Sequence, residues 1–224
     1  MKKQSLLFVI VGIIIWAAGC KRTDEKFISE GEIEYDASVL DLDNSMATMA
    51  PNKMTVRFKA NKSCAEMTAG MGLFSTSFIS DPETKTFTQL VKILNKKFML
   101  TQDEKAINKE NERYPLQLVP TKETKIIAGY KCVKMKVVPL DKTATPYDIY
   151  YTNELNIQTP NFTNPYYKID GVLMEYQLKK FGLEMRFVAK SVKADAVDDK
   201  CFQVPTEYKK VSEKEMKMIF ENLQ

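Results

Sequence analysis

Hydrophobic and polar residues alternate along most of the chain. Ile33 and Tyr35 stand between acidic residues, and a second alternating run begins at Met54. Because successive side chains of a β-strand point to opposite faces of a sheet, this period of two predicts strands with one buried and one exposed face. The predicted strands cover residues 33–39, 54–60, 63–70, 72–80, 85–92, 96–101, 121–128, 130–138, 147–152, 171–179 and 183–194.

The pattern changes in two places. The polar segment 102–113 predicts a helical or mobile stretch, and residues 212–224 show helical spacing. Ser212 followed by Glu215 is a capping-box pattern, in which a hydroxyl and a carboxylate satisfy the free amides of a helix start. We expect this last helix to pack on the sheet, across an opening in it, or only along the surface. The sequence thus predicts a mainly β fold (α+β), with a large and mostly consecutive antiparallel sheet and a C-terminal helix.

The first 19 residues predict a bacterial lipoprotein signal. Lys2 and Lys3 give a positive start, an apolar run of 13 residues covers 6–18, and small residues lead to Cys20. We therefore expect Cys20 to carry acyl chains of the palmitate type, each methylene contributing about 0.8 kcal/mol to membrane binding. The run is shorter than the roughly 20 residues that cross a bilayer. A plain secretory signal or an uncleaved anchor is the alternative.

This signal also predicts where the protein resides and how the chain is divided. Residues 20–29 form a tether, and residues 30–224 form a single domain. Bacterial lipoproteins go to the outer membrane by default unless an acidic residue follows the lipidated cysteine, and here Lys21 follows it. We expect a lipid-anchored protein of the outer membrane, and the sequence leaves open whether it faces the periplasm or the cell surface.

Composition excludes several kinds of chemistry. The chain contains no histidine, which excludes a Ser-His-Asp or Cys-His catalytic arrangement and a zinc site with imidazole ligands. Its 33 basic and 29 acidic residues are interleaved, so no nucleic-acid footprint is expected. Met46 stands where a calcium loop starting at Asp41 needs glycine, and we expect neither a metal nor a cofactor. An enzyme using Asp170, Asp198 and Asp199 is a third alternative; we expect no enzyme.

Three cysteines follow Cys20: Cys64, Cys132 and Cys201. An oxidising compartment permits disulfides, but an odd number leaves at least one thiol unpaired or paired between chains. Their spacing matches no metal cluster. The pairing stays open at this point.

Five segments carry a resemblance to a known family. In chain order they are TSFISDPETKTFTQLVKILNKKFML, ETKIIAGYKCVKMKVV, YDIYYTNEL, IDGVLMEYQ and FQVPTEYKKVSEKEM. Together they resemble the bacterial envelope family called domain of unknown function 4412. That family is in turn similar in architecture to the lipoprotein carriers and lipid-binding lipoproteins (LolA, LolB and LppX-like). The resemblance implies a curved antiparallel sheet that forms an incomplete barrel, covered by a few helices and offering a concave apolar surface. It implies no catalytic residue.

Two groups of side chains are candidates for a binding site. Flexible methionines and bulky phenylalanines suit an adaptable apolar pocket, although they also suit ordinary core packing. Tyrosines around a proline-broken loop suit a protein partner, or simply strand ends with hydroxyls in water. The candidate ligand-binding residues are Met67, Met71, Phe74, Phe78, Phe87, Met135 and Met174, and the candidate partner-binding residues are Tyr150, Tyr151 and Tyr166. The sequence therefore predicts a non-catalytic envelope lipoprotein that binds a lipid or another apolar ligand, or alternatively an interaction module of an envelope complex.

Overall fold

The computed structural model describes residues 28–43, 47–141, 144–180 and 183–222. These residues form one sheet of twelve strands together with two α-helices. The strands are Glu30–Val39 (β1), Lys53–Lys59 (β2), Lys62–Ala69 (β3), Phe74–Asp81 (β4), Thr86–Ile93 (β5), Lys96–Gln102 (β6), Leu116–Ile127 (β7), Tyr130–Pro139 (β8), Tyr147–Thr152 (β9), Val172–Lys180 (β10), Leu183–Lys193 (β11) and Lys209–Lys210 (β12). The helices are Glu104–Asn111 (α1) and Glu213–Glu221 (α2).

The sheet consists of two runs of hairpins joined in the middle. Its order is β12-β6-β5-β4-β3-β2-β1-β11-β10-β9-β8-β7, so that β1 pairs with β11 and the sheet ends in two open edges. All pairs are antiparallel except β12 with β6. The predicted mainly β fold with an open antiparallel sheet is therefore confirmed, and so are the helix before residue 113 and the C-terminal helix.

The last helix begins where the capping box predicted. The Ser212 hydroxyl accepts a hydrogen bond from the Glu215 amide, and the Glu215 carboxylate accepts one from the Ser212 amide. These two bonds satisfy amides that the first helical turn leaves free. On its inner face Met216 and Phe220 are buried against Val91 of β5. The helix thus packs on the sheet rather than lying loosely along its surface.

Each strand places alternate residues on two faces of the sheet. On β4, Phe78 points to the inner, concave face, and Ile79 points to the outer face, where it packs with Cys64 and Leu90. Residues 199–208, here called the outer segment, cover this outer cluster with Cys201, Phe202 and Tyr208. Lys59 holds the outer segment at its start through an ion pair with Asp199, with 2.9 Å between Nζ and Oδ1. The inner face faces the cavity described below.

The outer segment brings two cysteines together. Cys64 is buried on β3, and the half-buried Cys201 packs in the same outer cluster. All three cysteines are free thiols in the structure. Cys132 lies in the main hydrophobic cluster, which is formed mostly by buried residues of β1, β2 and β7–β11. Burial there raises the pKa of Cys132 to about 11.

We expect glutathione disulfide to oxidise Cys64 and Cys201 to a disulfide and to leave Cys132 as a thiol. Each disulfide bond formed transfers two electrons to glutathione disulfide, which leaves as two thiols. Cys132 should not react, because it is fully buried and lies in a different hydrophobic cluster from Cys64 and Cys201, so neither of these thiols can reach it. Peptide mapping without reduction would identify the bonded pair. A bond that includes Cys132 would show that the outer segment does not bring Cys201 to Cys64.

Several predicted features lie outside the described residues: the signal 1–19, Cys20, Gly182 and Leu223. Among the described residues, no helix is both long and apolar enough to cross a membrane.

Candidate ligand-binding cavity

A cavity of about 510 Å³ lies against the inner face of the sheet. Seven strands, β1–β5 with β10 and β11, contribute its walls. The inward positions of these strands are mostly apolar because the alternating pattern places the hydrophobic set of each strand on one face. Representative wall residues are Met54, Phe58, Ala65, Met67, Phe78 and Phe187. The walls can therefore hold an apolar molecule without leaving polar groups unpaired along most of its length.

A loop and two helices cover the open side of the cavity. The loop, residues 153–171, contributes Ile157 and Pro160 to the cavity lining. Asn161 holds the loop closed, because its Nδ2 donates to the carbonyl oxygens of Ile169 at 2.7 Å and Gly171 at 2.9 Å. Asn111 of α1 donates from Nδ2 to the Phe162 carbonyl oxygen at 2.9 Å. The Tyr166 hydroxyl donates to the Gln177 carbonyl oxygen of β10, so side-chain hydrogen bonds fix the cover to the sheet as well as to α1.

The second helix closes the side near β5 and β6. Phe220 of α2 lines the cavity and meets Phe74 of β4 edge to face, with 6.2 Å between ring centroids. Such a geometry is favourable because the positive edge of one ring meets the negative face of the other. α2 is therefore part of the cavity as well as of the fold.

The cavity reaches the surface at one end of the sheet. Leu73 and Leu94 line it although 56% and 60% of their areas are exposed, and the Leu94 amide donates to the Leu73 carbonyl oxygen at 2.7 Å. Leu40, Leu42 and Met71 are also exposed at this end. The turns at the other end carry polar residues or glycine instead: Asn61, Glu83 and Gly129. We call the apolar end the mouth.

Charge is scarce inside the cavity. Of the described residues that line it, only Glu110 and Lys179 are charged. Glu110 pairs with Arg113, with 2.6 Å between Oε2 and Nη1, and Lys179 lies near the end of β10 at the mouth. Tyr35 is buried in the wall, donates from its hydroxyl to the Leu173 carbonyl oxygen at 2.9 Å, and has a pKa raised by burial. The interior therefore favours uncharged groups.

One polar side chain in the wall was not among the predicted site residues. Gln89 of β5 is 2% exposed and lines the cavity. A signal for it was present, because Gln89 stands at an inward position between Phe87 and Val91, where the alternation calls for a hydrophobic residue. The other inward residues of β5 are apolar, and a polar residue among them is a sign of a functional contact.

The predicted ligand-binding residues divide into three groups. Met67, Phe74, Phe78 and Phe87 all line the cavity. Phe78 and Phe87 stack nearly parallel, with 5.8 Å between ring centroids. The prediction for Met71 is corrected, because its side chain is fully exposed on a 3-10 turn with a φ of 52°. Met135 and Met174 are buried in the main hydrophobic cluster, and neither lines the cavity.

The tyrosine prediction is corrected in part. Tyr166 is 1% exposed, and its hydroxyl donates to the Gln177 carbonyl oxygen at 2.5 Å and hydrogen-bonds the Tyr147 hydroxyl at 2.8 Å. Burial raises the pKa of Tyr166. Because the proline-broken loop folds inward, this ring supports the cover and is not available to a partner. Tyr150 and Tyr151 are half-buried, and the Lys125 ammonium lies 3.7 Å from the centroid of the Tyr150 ring.

The carboxylates considered for catalysis have structural contacts. Asp198 accepts a hydrogen bond from the Lys200 amide at 2.9 Å, Asp199 pairs with Lys59, and Asp170 is exposed. Glu175, buried on β10, pairs with Lys125 and Arg186; burial would raise its pKa, but these two cations lower it below the ordinary value. Within the described ranges, no group of three or more acidic or cysteine side chains is placed to hold a metal ion.

Comparison with known proteins identifies a family and a fold. The model of the family described as "N-glycanase peptide, N-terminal domain" matches residues 34–162. A crystal structure of PNGF-II has a TM-score of 0.54 and 16% identity over 86% of this chain and 33% of that chain. This chain therefore spans about a third of the length of that protein, and the likeness extends to the fold. No curated protein sequence matches.

Two further structures have lower scores. MucB in complex with MucA(peri) has a TM-score of 0.35 and 12% identity, covering 81% of this chain and 56% of that one. The MucA/MucB complex of Pseudomonas aeruginosa has a TM-score of 0.36 and 10% identity, covering 80% and 56%.

Proposed function

We propose that this chain, which belongs to the family of N-glycanase peptide N-terminal domains, is a non-catalytic binding protein that holds an apolar ligand in its cavity. The observation that carries the proposal is the covered apolar cavity that opens at the mouth. Ligand sites in proteins are concave and mostly apolar, with a few polar groups that orient the ligand. The cavity has this composition, and its volume suits a single acyl chain or a molecule of similar size.

The open space inside the cavity supports a ligand-binding role rather than a role in core packing alone. A core that only stabilises the fold is packed to high density with few voids larger than a water molecule. Here, by contrast, Met67, Phe78 and Phe87 border open space although they are inward-facing residues of the sheet. Leu73 and Leu94 mark the place where a ligand enters, because they line the cavity and are also exposed.

The membrane anchor is the second part of the proposal. A lipidated Cys20 would tether the domain to the envelope, with the outer membrane and the periplasm as its surroundings. The resemblance to the domain of unknown function 4412 family and to the half-barrel carriers points the same way and stays a prediction from the sequence motifs. A tethered domain with an apolar cavity would collect its ligand close to a lipid surface.

Titration with a fluorescent fatty acid tests the binding proposal. The chain from residue 21 onward contains every described strand and helix, so it is the form to use. We expect saturable binding of one probe per chain and displacement by unlabelled palmitate. If the folded chain binds no probe and palmitate has no effect, the interaction module becomes the better account. That account predicts co-purification of an envelope protein, reduced by Tyr150→Ala.

Replacement of Cys20 tests the anchor. Because Cys20 follows the apolar run and the small residues of the signal, Cys20→Ser should remove acyl labelling and release the protein from the membrane fraction. Labelling with a palmitate analogue followed by membrane fractionation measures both effects. Cys201→Ser is the matched control and should keep the label. Unchanged labelling of Cys20→Ser would contradict a lipoprotein.

A further inference from the structure

The side chain of Gln89 has an unusual environment. It lies on the inward face of β5, directly opposite Phe78 of β4, and only 2% of its area is exposed. Its Nε2 is buried and has no hydrogen-bond partner among the described residues. Every other buried side-chain nitrogen or oxygen in this part of the chain has one. Gln89 is one of the residues that line the cavity, beside the stacked rings of Phe78 and Phe87.

Neighbouring polar side chains find partners within the protein. The Thr76 hydroxyl donates to the Leu90 carbonyl oxygen at 3.1 Å, and the Thr88 and Thr101 hydroxyls are 3.0 Å apart. A buried amide donor that lacks a hydrogen bond destabilises a protein, and buried polar groups are therefore nearly always paired. Because Gln89 is one of the residues that line the cavity and its terminal torsion is soft, a rotation of the amide brings this unpaired donor to a ligand atom.

We propose that the cavity ligand carries an uncharged oxygen acceptor, such as the oxygen of an ester, a ketone or a quinone, and that Gln89 Nε2 donates a hydrogen bond to it. This inference rests on the proposed function and names the class of ligand. The amide serves as the one polar contact that orients an otherwise apolar molecule.

The position of Gln89 decides between charged and uncharged acceptors. Gln89 lies five residues before Leu94 at the mouth, which corresponds to about 17 Å along an antiparallel strand. A carboxylate at that depth would need a cation, because an unpaired buried charge is strongly disfavoured. Lys179 is the only basic side chain among the described residues of the lining, and it lies at the mouth end of β10. A neutral acceptor is therefore favoured at Gln89.

A matched pair of competitors tests this inference. Heptadecane and its mid-chain ketone differ only by one carbonyl group, and each is used to displace the fluorescent fatty acid from the chain that begins at residue 21. We expect the ketone to compete about three- to tenfold better than the alkane, the range that one hydrogen bond contributes. In Gln89→Leu this preference should disappear, and the alkane should compete at least as well as in the unchanged protein. Gln117→Leu, an exposed change on β7, should keep the preference.

Each outcome supports or overturns a defined part of the account. Equal displacement by both compounds in the unchanged protein, or a preference that survives in Gln89→Leu, overturns the role of Gln89 and leaves the proposed function standing. Displacement by neither compound overturns the proposed function itself. Gln89→Leu should also raise the melting temperature of the ligand-free protein, since it removes an unpaired buried amide. If Gln89→Leu does not fold, Gln89→Met, which keeps the length of the side chain, replaces it in the same comparison.

Discussion

Ala65→Phe should lower the affinity of the chain for a fluorescent fatty acid at least tenfold, which equals about 1.4 kcal/mol. Ala65 lines the cavity on β3, between Val56 of β2 and Phe78 of β4. A phenyl ring at this point would occupy the space of the ligand without introducing a charge. Titration of the probe, together with circular dichroism to verify the fold, measures the effect.

Thr68→Phe provides the matched control. Thr68 is exposed on the opposite face of the same strand, so the substitution adds the same ring outside the cavity. We expect Thr68→Phe to bind the probe as the unchanged protein does. Equal affinities for the two variants would mean that the probe binds elsewhere on the chain.

Gly31→Ala should destabilise the fold by about 3 kcal/mol, at the upper end of what overpacking costs. A Cβ atom at Gly31 would lie 2.2 Å from the Lys193 carbonyl oxygen and 3.2 Å from its carbonyl carbon. Both contacts are with backbone atoms of β11, which cannot move aside without disturbing the β1–β11 pairing. Because this pairing joins the two runs of hairpins, the whole sheet should lose stability in a urea titration.

Gly129→Ala is the comparison that separates crowding from backbone strain. Gly129 has a φ of 87°, and a Cβ atom there would meet nothing within 4 Å. We expect this change to cost about 1 kcal/mol, since only the left-handed backbone is penalised. A loss for Gly31→Ala no larger than that for Gly129→Ala would show that the two halves of the sheet tolerate a wider spacing.

The alternation of residues predicted the strands well because it directly reflects which face of each strand is buried. The first six strands begin and end within three residues of their predicted bounds. β12 was missed because its two residues, Lys209 and Lys210, are placed by pairing with β6 and have no pattern of their own. β7 begins at Leu116 rather than at residue 121, since the irregularity between Pro120 and Thr124 interrupts its alternation.

The candidate site was predicted less completely, for a physical reason. Alternation identifies inward-facing residues but does not say which part of the inner face stays open. Met135 and Met174 face the packed half of the sheet, whereas Met67 and Phe78 face the open half. The cover formed by residues 153–171 depends on hydrogen bonds of Asn161 to carbonyl groups further along the same loop and of Asn111 to the Phe162 carbonyl group. The hydrophobic alternation does not indicate such bonds.

A crystal structure of the chain with a bromine-tagged acyl ligand would test the central claim most directly. Bromine scatters anomalously, so its position can be located independently of the rest of the ligand. We predict a bromine peak inside the cavity, between Ala65 and Phe87 and beneath the loop 153–171. A saturated crystal whose bromine peaks all lie outside the cavity would contradict the account.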